Sequence, residues 1–136
     1  MNEQLRESNG RVITEFGLLL DQVLEKLPNY KGLVFRRAQV PQEQLKKYKR
    51  AFKNDTIVKE ACFISTSKIK TYILLYPGNV VFRVSSKSGK EIEKIARFGA
   101  FEGPNEFEVL FRRNSNFRVL GITKEHDYTL ITLEEE

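Results

Sequence analysis

Two carboxylates, Glu106 and Glu108, stand one residue apart in "GPNEFEVLFRR" (103–113), where a turn gives way to apolar sequence. In an extended strand, positions two apart share a face and lie about 6–7 Å from each other. Like charges so placed repel unless a ligand or a cation uses them. Two other stretches carry reactive side chains at the ends of apolar runs: "VFRR" ends in Arg36 and Arg37, and "FISTS" ends in Ser65, Thr66 and Ser67. Taken singly, none is distinctive. Arginines often end strands, Ser-Thr-Ser suits a polar edge strand, and paired glutamates suit a solvated face. Together they offer a rigid cationic fork for an anion, hydroxyl groups, and carboxylates that could stabilise a cation or accept a proton.

Periodicity says which elements must position them. Val12, Ile13, Phe16, Leu20, Val23, Leu24 and Leu27 recur mostly at spacings of three and four, predicting an amphipathic helix over 12–27 that Pro28 and Asn29 end. "GLVFRR" (32–37) follows as a strand. Pro41 opens a second, basic helix running to about Phe52, closed by "KNDT". Beyond it the chain reads as mostly β: "EACFISTS" (60–67), "TYILLY" (71–76) and "VVFRVS" (80–85), with "PGN" as a hairpin turn between the last two. "KSGK" reads as a turn. It lacks the second glycine spacing and the following Ser/Thr of a phosphate loop. "EIEKIA" suits a short strand or a helical turn, and "EFEVLFRR", "FRVLGI" and "YTLITL" complete the strands, the first two joined at "NSN". The expected class is α+β, with helices early and antiparallel strands late.

Composition narrows the options. The 136 residues suffice for one domain with a core and are too few for two. The longest apolar runs, "FGLLL" and "YILLY", fall far short of the roughly 18 residues of a membrane span. The opening "MNEQLRESNGR" has no apolar signal-peptide core, so any export is expected to need another route or a lost leader. A single cysteine, Cys62, excludes an intrachain disulfide, and a single histidine, His126, offers no zinc cluster. Much of the net charge of +5 comes from Lys46, Lys47, Lys49, Arg50 and Lys53, which form either a solvated helix face or a surface for an acidic macromolecule.

In this order and spacing the three stretches resemble the arginine–serine–glutamate class of mono-ADP-ribosyltransferases, which includes the clostridial binary toxins and bacterial effector domains. The family pattern is an aromatic-Arg strand, then Ser-Thr-Ser, then Glu-x-Glu, on separate strands around one cleft. "LEKLPNYKGLVFRR" is similar to the family's helix-to-strand entry, and "FRVSSKSGKEIEKIARF…NEFEVLFRRNSNFRVL" to its C-terminal half. The resemblance implies a split β-sandwich of mainly antiparallel strands with N-terminal helices, and a single catalytic domain over 1–136.

It also implies NAD as co-substrate, with no metal. Arg36 would bind the pyrophosphate, with Arg37 either assisting or facing outward as its strand neighbour. Cleavage of the nicotinamide–ribose bond passes through an oxocarbenium-like state. Glu108 would stabilise that charge, and Ser65 would orient Glu108 and line the nicotinamide pocket. Thr66 and Ser67 fall to strand-end support around NAD. Phe82 and Arg83 lie near the family's nicotinamide-facing aromatic and second phosphate-contacting arginine. A glutamate two before the catalytic one marks arginine-modifying members. Glu106 would hold the acceptor guanidinium, whose pKa lies above about 12, and take its proton as the bond forms. Phe98, Phe101 and Asn105, in "ARFGAFEGPN", would face the target.

The chain holds little beyond a catalytic core, where better-known toxins carry extra helices. The expected protein is a monomeric bacterial effector, carried by a larger secreted protein into a target cell's cytoplasm and countered there by an immunity protein. Its target would be a protein, or RNA given the basic helix. Two rivals remain: an NAD glycohydrolase or nucleic-acid-directed transferase, and a non-catalytic basic binding module.

Overall fold

The computed structural model describes residues 15–75, 77–92 and 107–136, with the backbone alone at 72, 74 and 75. Glu106, Phe98, Phe101 and Asn105 lie outside the described residues.

Helix α1 (Glu15–Glu25) carries an acidic residue in its first turn and closes with Lys26 and Leu27 donating to the Val23 and Leu24 carbonyls, just before Pro28. Its buried side keeps part of the predicted stripe, Leu24 with Leu20 and Leu27 packed beside it, and turns Phe16 and Val23 outward. Gly17, Asp21 and Leu24 are buried, while Phe16 and Val23 are 63% and 38% exposed. The reason is electrostatic: Asp21 is drawn inward by Arg113 Nε at 2.6 Å and Arg112 Nε at 3.4 Å, and a carboxylate so enclosed requires such partners.

Strand β1 (Asn29–Ala38) leads to helix α2 (Gln42–Asn54), which Pro41 opens as N-cap. Leu45, Tyr48 and Ala51, three apart, form its buried face. Asp55 ends it in the left-handed conformation at φ 51°, and its carboxylate accepts from Arg118 at 2.6 Å. The predicted strand 60–67 is two strands, β2 (Ile57–Glu60) and β3 (Ile64–Ser67), belonging to opposite ends of the sheet.

The predicted strand 71–76 is instead a 3-10 helix, Lys70–Leu75, so "PGN" is not a hairpin turn. That segment clamps the end of β1. Asn79 accepts from the Val40 amide at 2.7 Å and donates to its carbonyl at 3.0 Å, pairing both backbone groups of one residue. Gly78 packs so close that a Cβ there would sit 2.5 Å from the Ala38 carbonyl carbon. Gly78→Ala should therefore cost about 1–3 kcal/mol, read as a lowered midpoint in thermal melting. An unchanged midpoint would show that the clamp yields without cost.

Strand β4 (Val80–Glu91) runs straight through "KSGK", where a turn is predicted. A bulge explains it. Gly32 pairs with Ser86 and Tyr30 with Gly89, so two β4 residues, Lys87 and Ser88, oppose one on β1. Their amides are satisfied by the buried Glu135 carboxylate at 2.6 and 2.7 Å. Strands β5 (Glu108–Phe111), β6 (Ser115–Lys124) and β7 (Thr129–Glu135) complete a seven-stranded sheet in the order β1-β3-β5-β4-β7-β6-β2.

Among the described residues, only β4–β7 is parallel; the other pairings are antiparallel. Because β1 also pairs with β4, strands β1, β3, β5 and β4 close a circuit from which β7, β6 and β2 continue. The main core packs α2 against the β1, β4, β6 and β7 faces, around Val34, Phe82, Phe117 and Ile131. A second cluster, Leu24, Phe63, Ile92 and Leu110, lies under α1. The expected α+β architecture of early helices and mainly antiparallel strands is the one observed.

Candidate active site

The circuit of four strands brings the candidate residues to one cleft of about 790 Å³, within the usual range for ligand pockets. Ser65 on β3 opposes Leu110, and Ser67 opposes Glu108, so Ser65 and Glu108 are diagonal neighbours on one sheet face. The Ser65 hydroxyl donates directly to the Glu108 carboxylate. Thr66, on the other face and buried, donates to the Val109 carbonyl at 2.6 Å and so fixes β3 against β5. Ser67 accepts from the Ile69 amide at 3.1 Å, turning the chain as the strand ends.

Arg36 lies on β1 directly across from Phe82 on β4, and its Nη1 donates to the Ser65 carbonyl at 3.0 Å. Arg36, Ser65, Thr66, Phe82 and Glu108 all line the cleft. Strand alternation turns Arg37 and Arg83 to the opposite face. There Arg37 donates to the Gly78 carbonyl at 2.9 Å and stacks over the Tyr128 ring, and Arg83 donates to Thr132 at 3.1 Å. Of the two adjacent arginines, the structure thus places Arg36 at the cleft and Arg37 at the clamp that ends β1.

The expectation that Glu106 and Glu108 share one face falls on Glu106, outside the described residues. Strand β5 begins only at Glu108, and Phe107 before it adopts φ 73°. Left-handed backbone is uncommon at a bulky residue, and such conformations concentrate at functional sites. The Lys68 amide donates to the Phe107 carbonyl at 2.9 Å and holds the bend.

Sequence reasoning missed a second polar group in the cleft. Tyr48, on the buried face of α2, donates its hydroxyl to Glu60 on β2, and Lys47 reaches the same carboxylate at 3.2 Å. The Tyr48 ring packs on Phe82 at 5.3 Å between centroids. Burial, and then the Glu60 carboxylate, push the Tyr48 phenol far above its ordinary range, with the Arg36 charge opposing them; the phenol is a fixed donor. Only the position of Tyr48 on an otherwise apolar helix face hinted at this. Lys47, counted in the basic run, belongs to the cleft, whereas Lys46, Lys49, Arg50 and Lys53 face solvent. Among the described residues no group of three His, Cys, Asp or Glu side chains could hold a metal ion, and no helix is long and apolar enough to cross a membrane.

A strand-borne guanidinium beside a serine-tethered glutamate thus stands at one cleft of a mainly antiparallel sheet with early helices. The family model for the ADP-ribosyltransferase exoenzyme matches residues 2–136, and the chain belongs to that family. It is 33% identical over 106 residues to Mav of Mycobacterium avium, named as a candidate NAD(+)–arginine ADP-ribosyltransferase, covering 76% of this chain and 12% of Mav. It is also 33% identical over 121 residues to Vis of Vibrio splendidus, which is named likewise, covering 82% of this chain and 45% of Vis. The solved structure of Vis with agmatine superposes with a TM-score of 0.66 at 26% identity, over 90% of this chain and 57% of that one. The type III effector XopAI of Xanthomonas axonopodis pv. citri shares the fold, with a TM-score of 0.72 at 24% identity over 89% of this chain and 52% of its own. The chain thus spans less than half the length of the curated relatives it matches.

Proposed function

We propose that this chain is the catalytic domain, over 1–136, of a bacterial mono-ADP-ribosyltransferase that cleaves NAD, releases nicotinamide and transfers ADP-ribose to arginine on a target protein. The observation that carries the reading is the Ser65–Glu108 hydrogen bond beside Arg36, three side chains from three strands at one cleft. NAD fits this equipment as a substrate. The planar fork of Arg36 suits a pyrophosphate. Glu108, its orientation set by Ser65, would face the ribose whose carbon becomes electron-poor as nicotinamide leaves. Phe82 offers an apolar wall. Glu106 would hold the incoming guanidinium and accept its proton. The names of Mav and Vis, and the agmatine in the Vis structure, support arginine as acceptor.

The toxin and effector relatives support a protein that is secreted and acts in another cell's cytoplasm, with delivery functions carried elsewhere in a longer protein. Phe98, Phe101 and Asn105 are proposed to meet the target. The test is nicotinamide release from NAD together with label transfer to an arginine-rich acceptor. Uptake of NAD with no turnover would instead fit a degenerate binder.

The exposed basic face of α2 bears on the target. Replacing Lys46, Lys49, Arg50 and Lys53 with glutamine should leave NAD hydrolysis by water intact. If the face recruits an acidic macromolecule, protein or RNA, modification of that target should fall, and added salt should weaken the parent's reaction in the same way. Equal modification by both proteins at every salt concentration would reduce the face to solvated surface.

A further inference from the structure

Six residues lining the cleft follow one another in a chain of contacts. Glu60 is held by the Tyr48 hydroxyl, and the Tyr48 ring lies on Phe82. Phe82 is the cross-strand partner of Arg36, Arg36 donates to the Ser65 carbonyl, and Ser65 donates to Glu108. A carboxylate therefore stands at each end of the series and a guanidinium between them. A dinucleotide has the matching layout, with two ribose diols flanking a pyrophosphate.

Glu60 is also built to receive something. Its two donors, Tyr48 and Lys47, both meet Oε1 among the described residues, leaving Oε2 for what enters the cleft. Its side chain is 20% exposed and lines the cavity. A carboxylate fixed by a buried phenol cannot swing away to solvent without leaving that hydroxyl unpaired.

Resting on the transferase reading, we propose that Glu60 is the residue that reads the adenosine-side ribose, accepting hydrogen bonds from its diol and rejecting a 2′-phosphate, so that the enzyme uses NAD and refuses NADP. A carboxylate does this work for dinucleotides elsewhere because it accepts from hydroxyls and repels phosphate. Lys47 sharpens the effect. While Glu60 is present, its ammonium is engaged at 3.2 Å; without the carboxylate's charge, it becomes available to a 2′-phosphate. Lys59 and Arg36 are the other cations lining the cavity.

The experiment compares nicotinamide release from NAD, from NADP and from an NAD analogue lacking the adenosine 2′-hydroxyl, with the parent and Glu60→Gln. Glutamine preserves an acceptor for Tyr48 and removes the charge. The parent should favour NAD over NADP by about 100-fold in kcat/KM, and should lose about tenfold on the deoxy analogue. Glu60→Gln should narrow the NAD preference by tenfold or more, chiefly through a lower KM for NADP. The analogue arm needs no variant, so it reads the assignment even if Glu60→Gln folds poorly. A parent that turns over NAD and the analogue equally, or a folded Glu60→Gln with an unchanged NAD-to-NADP ratio, would overturn the role of Glu60 and leave the transferase reading standing. A parent inert toward both dinucleotides would overturn the transferase reading, and this assignment with it.

Discussion

Glu108→Gln should abolish both nicotinamide release and ADP-ribose transfer, whereas Glu106→Gln should suppress transfer to arginine and spare much of the hydrolysis by water. Glu108 is assigned to bond cleavage, a step common to both outcomes. Its carboxylate is aimed by the Ser65 hydroxyl at the end of β5. Glutamine keeps the shape and can still accept from Ser65, but it offers no negative charge to an oxocarbenium-like state. Glu106 is assigned to the acceptor alone. Removing a positioned base costs about 10²–10⁴-fold in rate, large enough to read above background when both products are followed in the same reaction. Equal loss of both activities in Glu106→Gln would make the two carboxylates one functional unit. Full retention of transfer would mean that the acceptor is not arginine.

Arg36→Lys should leave the fold intact and raise the NAD requirement sharply. The side chain lies at the cleft rather than in the core, and a lysine could still donate to the Ser65 carbonyl. What it loses is the paired, planar presentation of N–H groups to two phosphate oxygens. A loss of about 1–3 kcal/mol corresponds to roughly 5- to 150-fold in affinity, measurable by titration calorimetry with NAD beside a thermal melt. Parent-like affinity in a folded Arg36→Lys would remove Arg36 from phosphate binding. Arg37→Lys is the informative contrast. Its target is the Gly78 carbonyl and the Tyr128 ring, so its effect should appear in the melt more than in the titration.

Much of the site could be read along the chain because each of its parts is local. An apolar run that ends in Arg36, another that ends in Ser65-Thr66-Ser67, and a turn followed by Glu108 are all written within a few residues. So are the bounds of α2, which Pro41 opens and a left-handed Asp55 closes. Backbone preference and side-chain alternation act over that range, and they sufficed to predict strands at β1, β3, β5, β6 and β7.

The rest depended on partners far away in sequence. "KSGK" has the composition of a turn, yet it is strand because Glu135, 48 residues from Lys87, satisfies the amides that the bulge exposes. The stripe on α1 holds at Leu20, Leu24 and Leu27 but not at Phe16 and Val23, because Asp21 is drawn inward by a pairing 92 residues away, with Arg113. "TYILLY" has strand composition and lies in a 3-10 helix, while the glycine and asparagine that follow clamp Ala38 and Val40. Tyr48 and Glu60 look like a core aromatic and a surface acid until the sheet carries β2 beneath α2. Local chemistry selected which groups could react. Only the closure of the sheet, by satisfying buried amides and charges across long separations, decided which of them face one another.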